Sequence, residues 1–331
     1  MTSLVTGGAG FIGSHVAEEL SKTGEQVVSL DDLSGGFVDN IVGDNVIFVE
    51  GSILDMALID RLFQQYKFDY VYHLAAYAAE GLSHFIKHFN YENNLIGSIN
   101  LINASILHHV KTFVFTSSIA VYGNNQPPMV EDMVPQPEDS YGIAKETVEK
   151  ELHICRTMFG LNSIIFRPHN VYGERQNIGD KYRNVIGIFM NQIMQNQPMT
   201  VFGDGNQERA FSHISDVAPI IARSVHVPDA INETFNIGAD QAYTINTLAR
   251  TVADAMDVPP RIRYLPPRNE VVFAYSSHDK ARKVFSPPPP LGLEEGIERM
   301  ASWAWKVGAR KSQNFKNIEI PYKLPPSWLE S

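Results

Sequence analysis

A chain of 331 residues, 44% hydrophobic and 19% charged, has ordinary globular composition and room for one large α/β domain or two coupled ones. Its net charge of −10, with no basic run, excludes a phosphate-tracking nucleic-acid surface. The single Cys155 excludes an internal disulfide framework, and no run of about 18 apolar residues offers a membrane span, so a soluble cytoplasmic protein without a membrane partner is expected.

The first strand runs straight into Leu4-Val5-Thr6-Gly7-Gly8-Ala9-Gly10-Phe11-Ile12-Gly13, with glycines spaced Gly-x-x-Gly-x-x-Gly. Such a turn lets backbone N–H groups approach a diphosphate and aims the positive end of a helix at it. That helix spans residues 11–22, with Ile12, Val16 and Leu20 on one face and Gly24 as its stop. Further strands are expected at 26–30, 46–50, 69–75, 112–117 and 162–167, and helices at 56–67, 90–108 and 141–158. Strands alternating with helices predict a parallel sheet, and their near-continuous apolar character predicts cover on both faces. The fold class is therefore α/β, a Rossmann-type doubly wound sheet followed by a smaller C-terminal α/β domain.

Near residue 170 loops lengthen, prolines gather and strands shorten. We place the domain change there, with a dinucleotide-binding domain at 1–170 and a substrate domain at 171–331. The second part reads as a helix at 185–195, a strand at 199–202, a helix at 215–226 and a strand at 233–237. Residues 211–238 are candidates for a return to the main sheet. A helix at 244–256, a rigid proline spacer at 287–290 and a helix at 293–307 follow. The tail from Lys311 is polar with scattered apolar residues, and its pattern does not decide between a draped and a disordered segment.

Three constellations carry chemistry. Asp31 ends the strand after the glycine loop, where an acid accepts hydrogen bonds from both ribose hydroxyls of an adenosine; a 2′-phosphate would be repelled there, which favours NAD over NADP. Tyr141 and Lys145 stand at i and i+4, so phenol and ammonium share a helix face. A free phenol is a poor base at neutral pH, with a pKa of about 10; an ammonium and an oxidised nicotinamide nearby would lower it enough to take a sugar hydroxyl proton. Thr116, Ser117 and Ser118 close the fifth strand, at the end of the sheet where ligands bind. His84 and His88 share a helix face but have no third ligand at zinc spacing, so no metal is expected. Trp303, Trp305 and Trp328 read as packing residues.

Taken together with Val121-Tyr122-Gly123 and Arg167-Pro168-His169-Asn170-Val171-Tyr172-Gly173, these motifs occur in one order that resembles the extended short-chain dehydrogenase/reductase family, in its sugar-nucleotide epimerase/dehydratase branch, over about residues 1–310. The resemblance implies a Ser118, Tyr141, Lys145 triad and a tightly held NAD. It also implies a homodimer joined through the 90–108 and 141–158 helices. Cofactor contacts implied by it are Gly7, Gly10, Phe11, Ile12, Gly13, Asp31, Asp32, Ser52, Ile53, Leu74, Ala75, Ala76, Asn94 and Ser117, besides Tyr141 and Lys145. Sugar-nucleotide contacts implied by it are Ser118, Asn170, Asn184, Phe202 and Arg209, with Arg268 as a second diphosphate cation.

Departures from the family pattern narrow the reaction. Dehydratases of the branch read Thr-Asp-Glu before Val-Tyr-Gly, whereas this chain has Ser118-Ile119-Ala120, and decarboxylases carry a glutamate at the Ala120 position. Ile119 and Ala120 move no protons, which leaves epimerisation at sugar C4 through a 4-keto intermediate, of the UDP-glucose/UDP-galactose type with N-acetyl or uronic sugars also open. A reductase, another sugar-nucleotide oxidoreductase and a non-catalytic NAD-binding regulator stay as alternatives. Gly51-Ser52-Ile53 replaces the Gly-Asp that faces adenine in many relatives, and His169 replaces an aromatic or small residue. Either Ala274, implying a roomy sugar pocket, or Tyr275, implying the opposite, occupies the position that sizes the pocket wall.

Overall fold

The computed structural model describes residues 1–267, 273–311, 315–325 and 328. In chain order the first half comprises β1 (Thr2–Thr6), α1 (Phe11–Lys22), β2 (Gln26–Asp31), β3 (Val46–Glu50), α2 (Met56–Tyr66), β4 (Tyr70–His73), α3 (Glu80–Ser83), α4 (Lys87–Tyr91), a π-helical turn (Glu92–Ile96), α5 (Gly97–Leu107), β5 (Thr112–Thr116), α6 (Ser140–Phe159) and β6 (Asn162–Pro168). The second half comprises β7 (Val171–Tyr172), α7 (Val185–Met194), β8 (Met199–Phe202), β9 (Glu208–Ala210), β10 (Ser212–His213), α8 (Ile214–Arg223), β11 (Thr234–Ile237), β12 (Ala242–Thr244), α9 (Ile245–Ala255), β13 (Ile262–Leu265), β14 (Phe273–Ala274), α10 (Asp279–Phe285) and α11 (Leu293–Val307).

Seven parallel strands form the main sheet in the order β11-β6-β5-β4-β1-β2-β3. Side chains alternate across a strand, so each apolar pair sends one residue to either face. Val5, Val27, Tyr72, Val114 and Ile164 pack with α1 and α8 on one side. Their neighbours Leu4, Val28, Val71, Phe113 and Ile165 pack with α2, α5 and α6 on the other. This is why the strands read as apolar runs without alternation. A separate core of Phe189, Met190, Leu248, Val252, Ile297 and Met300 holds α7, α9 and α11 together.

The long helix expected at 90–108 is continuous over 87–107, with a π turn at Glu92–Ile96 inside it between α4 and α5. A π turn is costly and marks a site where one side chain must point away from the regular helical ladder. Here Asn94 is that residue, and its amide is satisfied by backbone outside the helix, as described below. Helix α3, a single turn, was not anticipated because four residues carry no periodicity.

Candidate active site

Strand order reverses direction between β1 and β4, and a cavity of about 830 Å³ opens at the carboxyl ends of the strands there. Its inner end is built by the glycine loop. Gly7 has φ +68°, and a Cβ on it would lie 2.7 Å from the Ala75 nitrogen; one on Gly13 would lie 2.1 Å from the Gly7 oxygen. Neither position accepts a side chain, so Gly10, Phe11, Ile12 and Gly13 bring the first turn of α1 bare to the cavity wall. Asp31, Asp32, Ile53, Leu74, Ala75 and Ala76 line the same end. The buried Asp31 carboxylate accepts from Ala9 N at 3.1 Å and Leu33 N at 2.8 Å. Burial pushes its pKa up, and those two amides pull it back. Asp32 accepts from Ser34 N at 3.0 Å.

Two residues expected on this wall are not among the cavity-lining ones. Ser52 turns its hydroxyl to Leu54 N at 3.2 Å. Asn94, fully buried, accepts from Tyr77 N at 2.9 Å and donates to Tyr77 O at 3.2 Å and Asn90 Oδ1 at 2.8 Å. It shapes the cavity at one remove, by fixing the loop that follows β4.

At the middle of the cavity the structure brings Ser118, Tyr141 and Lys145 together. Ser118 ends the segment after β5, and its Oγ accepts from Ala120 N at 3.1 Å. Tyr141 and Lys145 lie in the first turns of α6, whose start is clamped from three sides. Asp139 caps it through Gly142 N at 2.8 Å, Ser83 Oγ accepts from Tyr141 N at 3.2 Å, and Asn90 donates to Ser140 O at 2.8 Å. The Lys145 ammonium, on a residue only 2% exposed, donates to Thr116 O at 2.8 Å and lies 5.7 Å from the Tyr141 ring centre. Burial pushes the Lys145 pKa down to about 7, against the opposing pull of Glu149. Burial, with Glu80, drives the Tyr141 phenol well above its usual value, and the Ser118 hydroxyl opposes this. The lysine by itself therefore does not make the phenol a base in this pocket, and a second positive charge beside the ring is needed. Thr116 Oγ1, buried in the wall, has no hydrogen-bond partner among the described residues. With the bare glycine cradle, it fits a dinucleotide whose amide or hydroxyl groups would complete it.

A pH-dependent stability follows. The Lys145 pKa falls from 10.5 to about 7 on folding, so the unfolded chain binds the extra proton between those values. This group's contribution to stability thus rises as pH climbs through that window and is most unfavourable below it. Lys145→Met is expected to raise the melting temperature relative to wild type at equal NAD loading. The gain should be largest below pH 7 and fade by about pH 10. A gain that is flat across that range in thermal melts would contradict the buried-ammonium account.

Residues not anticipated support this centre. Glu149 lies one turn beyond Lys145, accepting from Ser117 Oγ at 2.5 Å and from Arg167 at 3.0 and 2.6 Å. Arg167 also donates to the Tyr122 hydroxyl at 2.8 Å, which donates to Asn236 Oδ1 on β11 at 2.8 Å. Ser117, expected against the cofactor, does line the cavity, but its hydroxyl is committed to Glu149.

The outer end is lined by Asn170, Asn184, Phe202 and Arg209. Both asparagines hold left-handed backbone, φ 39° and 57°, which Asn tolerates better than most residues. Asn170 donates to Ala210 O at 3.0 Å, and Asn184 caps α7 through Ile186 N at 3.3 Å. Arg268 lies outside the described residues, as does the side chain of Ala274. Arg183, unforeseen, also lines the cavity, paired with Asp180 at 2.7 Å and stacked 4.7 Å over Tyr77. So does Trp328, from the tail.

His169 joins this end to α10. Its Nδ1 faces Ala210 O at 3.2 Å, its Nε2 faces His278 Nε2 at 2.9 Å, and His278 Nδ1 meets Asp240 Oδ1 at 2.5 Å. Burial, with the His278 ring beside it, holds the His169 pKa down to about 3. The chain pins Ala210, next to Arg209.

Residues 3–238 match the family described as the NAD dependent epimerase/dehydratase family. The chain is 32% identical over 303 residues to a putative UDP-glucose 4-epimerase of Methanocaldococcus jannaschii, covering 91% of this chain and 97% of that protein. It is 31% identical to a UDP-N-acetyl-alpha-D-glucosaminuronate decarboxylase of Bacillus cytotoxicus, covering 96% and 98%. Among solved structures, UDP-glucose 4-epimerase of Thermotoga maritima with UDP-glucose superposes with a TM-score of 0.88 at 34% identity, covering 93% of this chain and 99% of that one.

Proposed function

The chain belongs to the NAD-dependent epimerase/dehydratase family, and from that premise we propose that it inverts C4 of the hexose of a UDP-sugar through a 4-keto intermediate. One observation carries this reading. Ser118, Tyr141 and Lys145 converge in a cavity floored by the glycine cradle, while Ile119 and Ala120, also on its wall, offer no proton to the other reactions of the family. NAD, held by the Gly7, Gly10 and Gly13 cradle and Asp31, would supply a hydride acceptor and donor at C4.

Tyr141 removes the C4 hydroxyl proton and later restores it. Ser118 holds the C4 oxygen beside the phenol. Lys145 steadies the ribose and keeps positive charge near Tyr141 during the step. Asp31 binds the adenosine ribose, and Arg209 meets the substrate diphosphate as a fixed fork. In this reading residues 1–170 hold the cofactor and 171–331 the sugar nucleotide. A second copy would pair through α5 and α6, which leave Leu107, Ile143 and Ile154 exposed; light scattering at twice the chain mass tests that.

Incubating the purified protein, without added NAD, with UDP-glucose, UDP-galactose, UDP-N-acetylglucosamine and UDP-glucuronate, and identifying products by NMR, tests the reaction. The expected product is the 4-epimer of at least one. A pentose product with loss of carbon dioxide, or turnover that consumes free NAD(P)(H) mole for mole, would replace this reading with a decarboxylase or a reductase.

A further inference from the structure

Of the tail that the sequence pattern leaves undecided, the described residues 315–325 and 328 pack on the body, and Trp328 lines the cavity. Phe315 packs edge-on against Phe89 and tilted against Tyr77, with ring centres 4.9 and 5.4 Å apart, and its N–H donates to the Tyr182 hydroxyl at 3.0 Å. Glu319 accepts from His88 N at 2.8 Å and Phe89 N at 3.0 Å, the first amides of α4, while Glu319 N and Ile320 N donate to Phe85 O. Leu324 and Trp328 then bury themselves among Ala79, Leu82 and Ile86. A polar chain held at backbone level by one carboxylate and at its ends by aromatic rings is a strap, tied across α3 and α4.

Trp328 does more than pack. It is 7% exposed, lies edge-on to Tyr182 at 5.3 Å and to Phe85 at 6.1 Å, and stands on the cavity wall beside Gly81. A Cβ on Gly81 would come within 3.2 Å of the indole edge, a tight contact that the bare glycine avoids. Two residues on, Ser83 accepts from Tyr141 N, and Glu80 acts on the Tyr141 phenol electrostatically. The indole thus lies against the α3 turn that holds the start of α6, and it lines the same cavity as Tyr141. The family match ends at residue 238 and does not reach this segment.

We propose that Trp328 is a sugar-binding residue: the C-terminal strap closes the outer end of the cavity, and its indole is the wall against which the hexose of the substrate packs. A pyranose presents an apolar C–H face between its hydroxyls, and a rigid aromatic ring buries that face at low entropic cost. The wall also limits the sugar, because a bulky substituent directed at it has only the indole to displace. This inference rests on the sugar-nucleotide reading above.

The test compares wild type, Trp328→Phe, Trp328→Ala and a chain ending at residue 311, all as NAD-loaded protein, using UDP-glucose, UDP-N-acetylglucosamine and UDP itself. Expected for Trp328→Ala and the shortened chain is a roughly 10- to 100-fold rise in KM for UDP-glucose with kcat within a few-fold of wild type. UDP, which lacks the hexose, should bind with unchanged Kd. Phe should restore most of the loss, and preference should shift toward UDP-N-acetylglucosamine in Trp328→Ala. A parallel weakening of UDP and UDP-glucose, or no change in either, overturns the proposal while wild-type turnover leaves the parent reading intact. Wild type that binds no sugar nucleotide in calorimetry overturns both.

Discussion

Replacing Tyr141 by Phe is expected to lower kcat about 10³-fold, within the 10²–10⁴ range for loss of a positioned acid–base group, with NAD retained and KM nearly unchanged. The substitution removes only a hydroxyl. The ring keeps its place because α6 is clamped through Asp139, Ser83 and Asn90, none of which touches the phenol. The environment also sets a pH dependence. Burial holds the phenol protonated, so at neutral pH the reactive form is scarce and grows with pH. In wild type kcat should therefore rise on the acid side of its profile, and Tyr141→Phe should lack that limb. Steady-state kinetics across pH checks both; a variant with more than a tenth of wild-type kcat would remove Tyr141 from the mechanism.

The largest stability effect is expected away from the reacting groups. Glu149→Ala leaves the Arg167 guanidinium, 5% exposed, without its carboxylate, and breaking a buried ion pair from one side costs about 3–5 kcal/mol. Denaturant unfolding should show the loss as a lower midpoint at unchanged slope. Glu149→Gln should lose less, because its amide oxygen still accepts from Arg167 or Ser117. Five parts of the fold meet at this pair: the end of β5 through Ser117, α6, β6, the Tyr122 turn and β11 through Asn236. Any folded Glu149→Ala protein should also turn over slowly, since Ser117, next to Ser118, loses its hydrogen-bond partner and Lys145 loses a nearby negative charge. A variant as stable as wild type would show that the pair contributes geometry without net stabilisation.

Much of this was legible in the chain because it is local. The glycine spacing of Gly7, Gly10 and Gly13 encodes a close approach that the Ala75 backbone enforces. Tyr141 and Lys145 share a helix face by periodicity alone. The same periodicity extends to Glu149, but its partner, Arg167, is on strand β6, out of reach of a helical pattern. Asn94 could be recognised as special, but not that it spends its amide on Tyr77 from within a π turn of the helix. The tail was undecidable because its anchors, Phe85, Phe89 and Tyr182, lie far away in sequence. What a pattern of neighbours cannot encode is which distant backbone amide, such as His88 N, will need the carboxylate of Glu319.

The central claim is that one NAD, retained by the cradle, inverts C4 with Tyr141 handling the proton. The most direct test is turnover of a UDP-hexose deuterated at C4, with no added cofactor, followed by NMR. The account predicts a 4-epimer that keeps its deuterium at C4 and no accumulation of NADH. Deuterium washed out to solvent, or a product changed at another carbon, would contradict it.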